Sequence, residues 1–364
     1  MIKSKKTRMI LVIGLLCLIA CSRKGAEQDV LSPKEVSAIS GNADAAATEY
    51  FYNPLFSGDQ PDPYFYPEKD ALGNYYYFFS EGDRLSIRKV SNPAYVQWST
   101  VTRLFMGADY GLKQIWAPEL HRIKGAWYLY FTATKTDDAG HRIYMMKNTH
   151  ADPTDKSWTT PYAMENMPNN FAIDPNIMQS SDGAKQWLLW TTRGSDGVMR
   201  IYYGKLIYPQ RMDPSSVKMI AQPTYAWEKA DGPVNEAPEF LRKDPQGIWF
   251  IYFSANGTNS PDKYCLGRIF LKQGGNPDNP ADWVKHPSPV FQSSAANSVY
   301  SPGHCSFFTA GSEWWIVYHA KSVKQNTYGG RTARIQEFTW YGGNTPALGT
   351  PVKTGIQTPV PGSN

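Results

Sequence analysis

Three carboxylates precede prolines at related spacing in this 364-residue chain, at Asp62-Pro63, Asp174-Pro175 and Glu236-Ala237-Pro238. Two more prolines continue the series, in Trp116-Ala117-Pro118-Glu119 and Ser301-Pro302-Gly303-His304. From proline to proline the separations are 55, 57, 63 and 64 residues. Taken singly, an Asp before proline commonly starts a turn, Glu236 is a loop carboxylate, and His304 is a hydrogen-bonded core histidine. The shared phase changes that reading. A repeat that superimposes the five stretches brings Asp62, Asp174 and Glu236 together, with Trp116 and His304 beside them. Burying one unpaired carboxylate costs several kcal/mol, and three persist together only where their roles differ. Such a cluster marks a functional site, and carboxyl groups of unequal acidity are suited to proton transfer.

The elements that position these residues repeat as well. About ten to fifteen residues after each proline comes an aromatic-rich run, at 74–80, 126–132, 186–191, 248–254 and 313–319. About sixty residues hold four short strands with their turns, and β-rich repeats of that length without helical periodicity indicate a propeller. The expected fold is therefore an all-β, five-bladed β-propeller, with blades at 52–104, 105–158, 159–227, 228–283 and 284–340. Trp98, Trp158, Trp227 and Trp283 close the first four blades and are expected to mark outer strands. Because the first strand of every blade lines the axis, the fold predicts a catalytic centre at the mouth of the axial channel. Glu119 and Glu239 lie on the far side of their prolines, so strand alternation turns them away from Glu236 and makes them structural. Asp59 is a bystander candidate.

Composition agrees with many short strands: 14% aromatics, 29 Gly and 27 Pro. The amino terminus differs. Lys3, Lys5, Lys6 and Arg8 precede an apolar run ending in Leu18-Ile19-Ala20-Cys21, which resembles a bacterial lipobox. This predicts a signal peptide at 1–20, a lipidated Cys21 that anchors the protein to a membrane, and a polar tether at 21–49. The propeller occupies 50–345 and a tail 346–364. Loss of the signal removes four basic residues and no acid, so the formal charge falls from +5 to +1. With no basic block after residue 20, no nucleic-acid partner is expected. Cys265 and Cys305 are expected to be buried free thiols.

From about Asn53 to Trp340 the chain resembles glycoside hydrolase family 43. The resemblance rests on Asn53-Pro54-Leu55 with Gln60-Pro61-Asp62-Pro63, Ile115-Trp116-Ala117-Pro118-Glu119, and Ala172-Ile173-Asp174. It continues through Val234-Asn235-Glu236-Ala237-Pro238, Tyr264-Cys265-Leu266-Gly267, Ser301-Pro302-Gly303-His304 and Arg331…Arg334…Phe338…Trp340. It implies a five-bladed propeller acting on arabinose- or xylose-containing plant polysaccharides or oligosaccharides. Asp62 becomes the general base, Glu236 the general acid, and Asp174 the residue that tunes and orients the acid. Inversion needs an ionised and a protonated carboxyl about 6.5–9.5 Å apart, with a water between. The resemblance also implies substrate-binding roles for Trp116, His304, Arg331 and Arg334, with Arg331 favoured over Arg334.

No cofactor is required by this reading and no zinc constellation is present; any metal would be a water-coordinated axial calcium near His304. Two positions depart from the family pattern. Ala237 stands where members carry glycine, and Cys305 where the nearest relatives carry asparagine. The Asn-Glu-x-Pro form and the paired arginines favour an exo-acting α-L-arabinofuranosidase, as does the absence of the C-terminal β-sandwich usual in β-xylosidases. A β-xylosidase or endo-arabinanase on the same scaffold remains open. A retaining fructosidase-type propeller is disfavoured because Asp174-Pro175-Asn176 lies in the third blade, with none of that family's companion motifs. A non-catalytic glycan-binding lipoprotein is disfavoured because all three carboxylates are present. The expected location is the bacterial envelope.

Overall fold

The computed structural model describes residues 48–363. The signal peptide, Cys21 and most of the tether lie outside the described residues.

Five antiparallel sheets follow one another along the chain. Blade I comprises Tyr64–Phe65, Tyr75–Phe78, Arg84–Val90 and Thr100–Met106; blade II comprises Lys113–Ile123, Ala126–Thr134, Arg142–Asn148 and Tyr162–Ala163. In blade III the strands Ile173–Gln179, Gln186–Arg193 and Met199–Tyr208 are followed by Arg211–Met212 and Lys218–Ala221, both of which pair with the third strand. Blade IV comprises Asn235–Leu241, Phe250–Ala255, Cys265–Leu271 and Trp283–Lys285; blade V comprises Tyr300–Ala310, Glu313–Lys321, Thr332–Tyr341 and Thr345–Ala347. The five-bladed propeller is thus the fold.

The aromatic runs become the second strands. All nine residues of Ala126–Thr134 and all six of Phe250–Ala255 are buried, because each blade packs against a neighbour on both faces. Five apolar cores result, one per blade interface; Trp127, Phe131 and Phe105 join blades I and II, and Tyr252, Phe307 and Phe338 join blades IV and V. Burial of each large side chain contributes about 1.5–3 kcal/mol.

The tryptophans behave differently from expectation. Only Trp283 begins an outer strand; Trp98 and Trp227 sit in 3-10 turns, and Trp158 precedes the outer strand of blade II. Their indole N–H groups explain part of this, since Trp158 and Trp227 donate to the carbonyls of Pro153 and Pro287 in loops.

Residues 346–364, expected to cross the surface as a tail, contain a strand that closes the ring. Gln357–Pro359 pairs with Tyr50–Tyr52 in a separate two-stranded sheet. Phe51, Leu55 and Val360 enter the core shared by blades I and V. The Asn53 side chain binds both the N–H and the carbonyl of Ile335, joining the start of the propeller to its last blade.

Candidate active site

At or just before each inner strand, one residue of common phase lies in the left-handed region: Asp62 (φ 55°), Ala117 (45°), Asp174 (55°), Ala237 (52°) and His304 (45°); the strands of blades II and V carry a second such residue, Gln114 and Ser301. Register slips at these points in blades II to V. A non-glycine residue held there costs about 1–2 kcal/mol, so something must hold each one.

That support comes from the preceding blade. The N–H of Ala117 donates to Ser80 Oγ (2.7 Å), that of Asp174 to Thr132 Oγ1 (3.0 Å), that of Ala237 to Thr191 Oγ1 (3.1 Å), and that of His304 to Ser254 Oγ (2.8 Å). The ring closes with His319 of blade V, whose Nδ1 accepts the N–H of Asp62 at 3.1 Å. The five acceptors are the residues on which the aromatic runs end, at 80, 132, 191, 254 and 319. Sequence reading stopped at those residues without assigning them a task. Their common phase was the available signal.

The bulges place Asp62, Asp174, Glu236 and His304 at one end of the axis. His304 Nδ1 lies 3.1 Å and Arg331 Nη1 3.6 Å from Asp62 Oδ1, and Ser80 donates its hydroxyl proton to Asp62 Oδ2 at 2.5 Å. Burial would raise the pKa of Asp62, but the His304 charge and hydrogen bond, together with His319 and Arg331, hold it well below the usual carboxylate range. Burial likewise opposes the charged form of His304, yet Asp62, Asp174 and Glu236 around it hold its pKa at about 9. Glu236 moves the other way. Burial and then the charge of Asp174 push it up to about 8, against the pull of His304. Burial raises Asp174 to about 6.

Asp174 and Glu236 are tied through the backbone. Asp174 Oδ2 accepts the N–H of Ala237, the residue next to Glu236, at 3.0 Å, while Tyr264 donates its phenolic proton to Glu236 Oε1 at 2.9 Å. Gly303 makes room for that phenol: a Cβ there would come within 2.2 Å of the Tyr264 ring. Tyr264 appeared in the sequence only as part of a motif. Its reach to Glu236 runs across blade IV, from the start of the third strand to the first, and has no local signature.

Trp116 stands on the rim, half-buried and stacked on His141 with ring centroids 4.2 Å apart. Phe171 meets that imidazole edge-on and carries Arg193 over its face at 4.2 Å. Arg331 reaches the site, its backbone N–H donating to Asp59 Oδ1, so Asp59 supports the loop that delivers the guanidinium. Arg334 does not belong to this surface. It is fully buried opposite Tyr318, with Nη2 donating to Ser322 Oγ and Thr354 Oγ1, because the strand Thr332–Tyr341 turns it into the packing between blade V and the C-terminal segment.

Further along the same inner strands lies a second polar layer. Asn176 donates through Nδ2 to both Glu119 Oε2 (2.9 Å) and Glu239 Oε2 (2.7 Å), and His121 Nε2 lies 2.9 Å from Glu119. Burial, and then the charge of Glu239, raises Glu119, and burial raises Glu239 to about 8 against the hydrogen bond from Glu119. A cavity of about 530 Å³ opens beyond them, at the opposite end of the axis, against Tyr64, Asn176, Phe240 and Arg242. Pro63, Pro118 and Cys305 separate the two layers, enclosing only about 10 Å³. Cys265 and Cys305 are both buried and unpaired, as expected.

Among the described residues no three His, Cys, Asp or Glu side chains converge to hold a metal ion. Calcium takes about six to eight oxygen ligands, whereas His304 is bonded to Asp62 and held protonated. The described side chains supply no oxygen cage at His304, so a calcium ion there would be held through water.

A closed ring of five blades with three carboxylates gathered at one end of its axis has the architecture of the propeller glycosidases. Residues 51–346 match the model for glycosyl hydrolases family 43, and the chain belongs to that family and is a glycosidase. It is 31% identical over 338 residues to the extracellular exo-α-(1→5)-L-arabinofuranosidase of Streptomyces avermitilis, covering 87% of this chain and 67% of that protein. With the enzyme of the same name from Streptomyces chartreusis it shares 31% identity over 301 residues, covering 80% and 88% of the two chains. The crystal structure of an α-L-arabinofuranosidase from Lactobacillus brevis superimposes with a TM-score of 0.75 at 28% identity, over 84% of this chain and 98% of that one.

Proposed function

We propose that the protein is an exo-acting α-L-arabinofuranosidase that releases arabinose from plant polysaccharides or oligosaccharides with inversion at the anomeric carbon. The observation that carries this reading is the opposite bias of two carboxyls in one pocket. Asp62 is held ionised by His304 and Arg331; Glu236 is held protonated by burial and Asp174. Asp62 takes a proton from water as the water oxygen attacks the anomeric carbon. Glu236 gives its proton to the departing glycosidic oxygen as the C–O bond breaks. Asp62 ends protonated and Glu236 ionised, and proton exchange with solvent restores both.

Trp116, backed by His141, offers an aromatic face to the C–H side of a pentose. Arg331 and His304 contribute charge and donors beside the attacking water. The arabinose assignment is supported by the names of the relatives, and exo action by the two Streptomyces enzymes. No group beyond these side chains and water enters the scheme. The lipobox-like Leu18-Ile19-Ala20-Cys21 supports an envelope protein anchored through Cys21.

The test is the initial rate on aryl α-L-arabinofuranoside and aryl β-D-xyloside side by side, with the first-formed anomer followed by NMR. Preference for the arabinoside with an inverted product is expected. A retained anomer overturns the mechanism, and a xyloside preference overturns the substrate.

A further inference from the structure

The ring of backbone caps uses a hydroxyl in four blades and an imidazole in the fifth. Ser80, Thr132, Thr191 and Ser254 each accept one amide, and two of them also donate to the carboxylate of their own blade: Ser80 to Asp62 Oδ2 (2.5 Å) and Thr191 to Asp174 Oδ2 (3.4 Å). A hydroxyl can do both because it carries a proton and lone pairs. His319 cannot. Its Nδ1 lone pair is occupied by the Asp62 N–H, which places the ring proton on Nε2, 3.4 Å from Thr258 Oγ1.

The surroundings enforce that tautomer. The charged and titratable groups facing the imidazole are Asp62, His304, Arg331 and Tyr264. Burial lowers its pKa to about 4; Asp62 opposes that shift, while Arg331 and His304 both disfavour a further positive charge. Nδ1 is 3.5 Å from Asp62 Oδ1, but with its lone pair engaged it has no proton to give that oxygen. Asp62 is thus gripped by its backbone on one side, while Ser80, His304 and Arg331 lie against the carboxylate and the His319 ring stands beside Oδ1. A hydroxyl in place of the imidazole could instead bond Oδ1 and reduce its basicity.

We propose that His319 is the positioning residue of the general base, its neutral imidazole locking the left-handed turn at Asp62 so that the carboxylate is aimed at the attacking water without being neutralised. This rests on the assignment of Asp62 as the base. The same ring lies parallel to Tyr264, with centroids 5.7 Å apart and planes 9° apart, and Tyr264 binds Glu236. His319 therefore stands between the supports of the two catalytic carboxyls. Gly303 is opposite it in the strand register, where the absence of a Cβ lets the Tyr264 ring lie flat.

The experiment compares H319N, whose amide oxygen can accept the Asp62 N–H, with H319L, which fills similar space without an acceptor. Thermal melting, kcat, KM and the pH dependence of kcat/KM are measured on aryl α-L-arabinofuranoside. H319L is expected to lose about 10²-fold in kcat, the scale of a misplaced reacting group, with KM within a few fold and the acid limb moved to higher pH as Asp62 turns from His304 and Arg331. H319N is expected to recover most of the rate. Loss of packing alone would leave the acid limb in place. Wild-type kcat in folded H319L, an unmoved acid limb, or equal loss in H319L and H319N overturns the proposal. H319A, measured beside them, removes the acceptor without adding an apolar branch, so a misfolded H319L leaves the comparison intact. D62A separates the two assignments. Full activity in D62A sinks the base itself, whereas an inactive D62A beside a wild-type-like H319L sinks only the positioning role.

Discussion

Glu236, half-buried, and Glu239, fully buried, lie three residues apart on one strand, both with pKa values near 8, and they serve different layers of the axis. At the mouth, Glu236 shares its field with Asp174 and with a protonated histidine, and its proton has somewhere to go. In the inner layer, Glu239 and Glu119 are bridged by Asn176 and closed off behind Pro63 and Pro118. A raised pKa therefore does not by itself identify an acid that works on a substrate. A protonated histidine, Arg331 and an ionised partner distinguish the reactive layer, since Glu239 too borders a cavity.

The comparison breaks most sharply if the mouth residues prove dispensable. D62N is expected to abolish turnover even on substrates with good leaving groups, since no other ionised carboxylate is placed to take the water proton. E236Q should lower kcat by about 10²–10⁴-fold on arabino-oligosaccharides and much less on aryl glycosides that need no acid. E239Q should stay within a few fold of wild type on both. Steady-state rates on the two substrate types decide this, and a crippled E239Q would join the layers functionally.

A smaller effect is expected in the pH profile. Glu236 must be protonated to act, so kcat/KM falls as pH rises through about 8. The charge of Asp174 raises that value; D174N removes the charge and should move the alkaline limb to lower pH. An unmoved limb would detach Asp174 from the acid.

The inner layer is expected to show itself in stability instead. A carboxyl whose folded pKa of about 8 lies above its ordinary 4.5 binds more protons folded than unfolded, so its contribution is full below about 4.5 and is lost as pH rises through 8. E239Q, which cannot ionise, should flatten the decline in melting temperature across that window. Parallel curves for E239Q and wild type would show that Glu239 does not titrate there.

The smallest effect concerns Ala237. Its φ of 52° is the conformation that glycine adopts freely, so A237G should stabilise the protein by about 1 kcal/mol or less. Chemical denaturation measures it, and a loss of stability would mean that the methyl group packs better than the turn strains.

The even spacing of Pro63, Pro118, Pro175, Pro238 and Pro302 made both the blade count and the gathering of the carboxylates legible, because a propeller converts sequence phase into position around an axis. The supporting residues were less legible for a reason of the same kind. Ser80, Thr132, Thr191, Ser254 and His319 hold the blade after their own, so no motif joins donor and acceptor. Arg331 and Arg334 differ by three positions; Arg331 sits just before the third strand of blade V and Arg334 inside it, and only the strand boundary determines which one reaches Asp62. Three-residue terminal strands carry too few positions for alternation to reveal them, so the pairing of Tyr50–Tyr52 with Gln357–Pro359 was not foreseen.

That pairing has a consequence for biosynthesis. Phe51 is among the first residues of the domain to be synthesised, and its strand partner Thr358 is among the last. Blades II, III and IV can each find a neighbour while the chain is still growing. The seam between blades I and V cannot be sealed until Val360 has been added, so the cap that blade V supplies to Asp62 is completed only when the ring itself is closed.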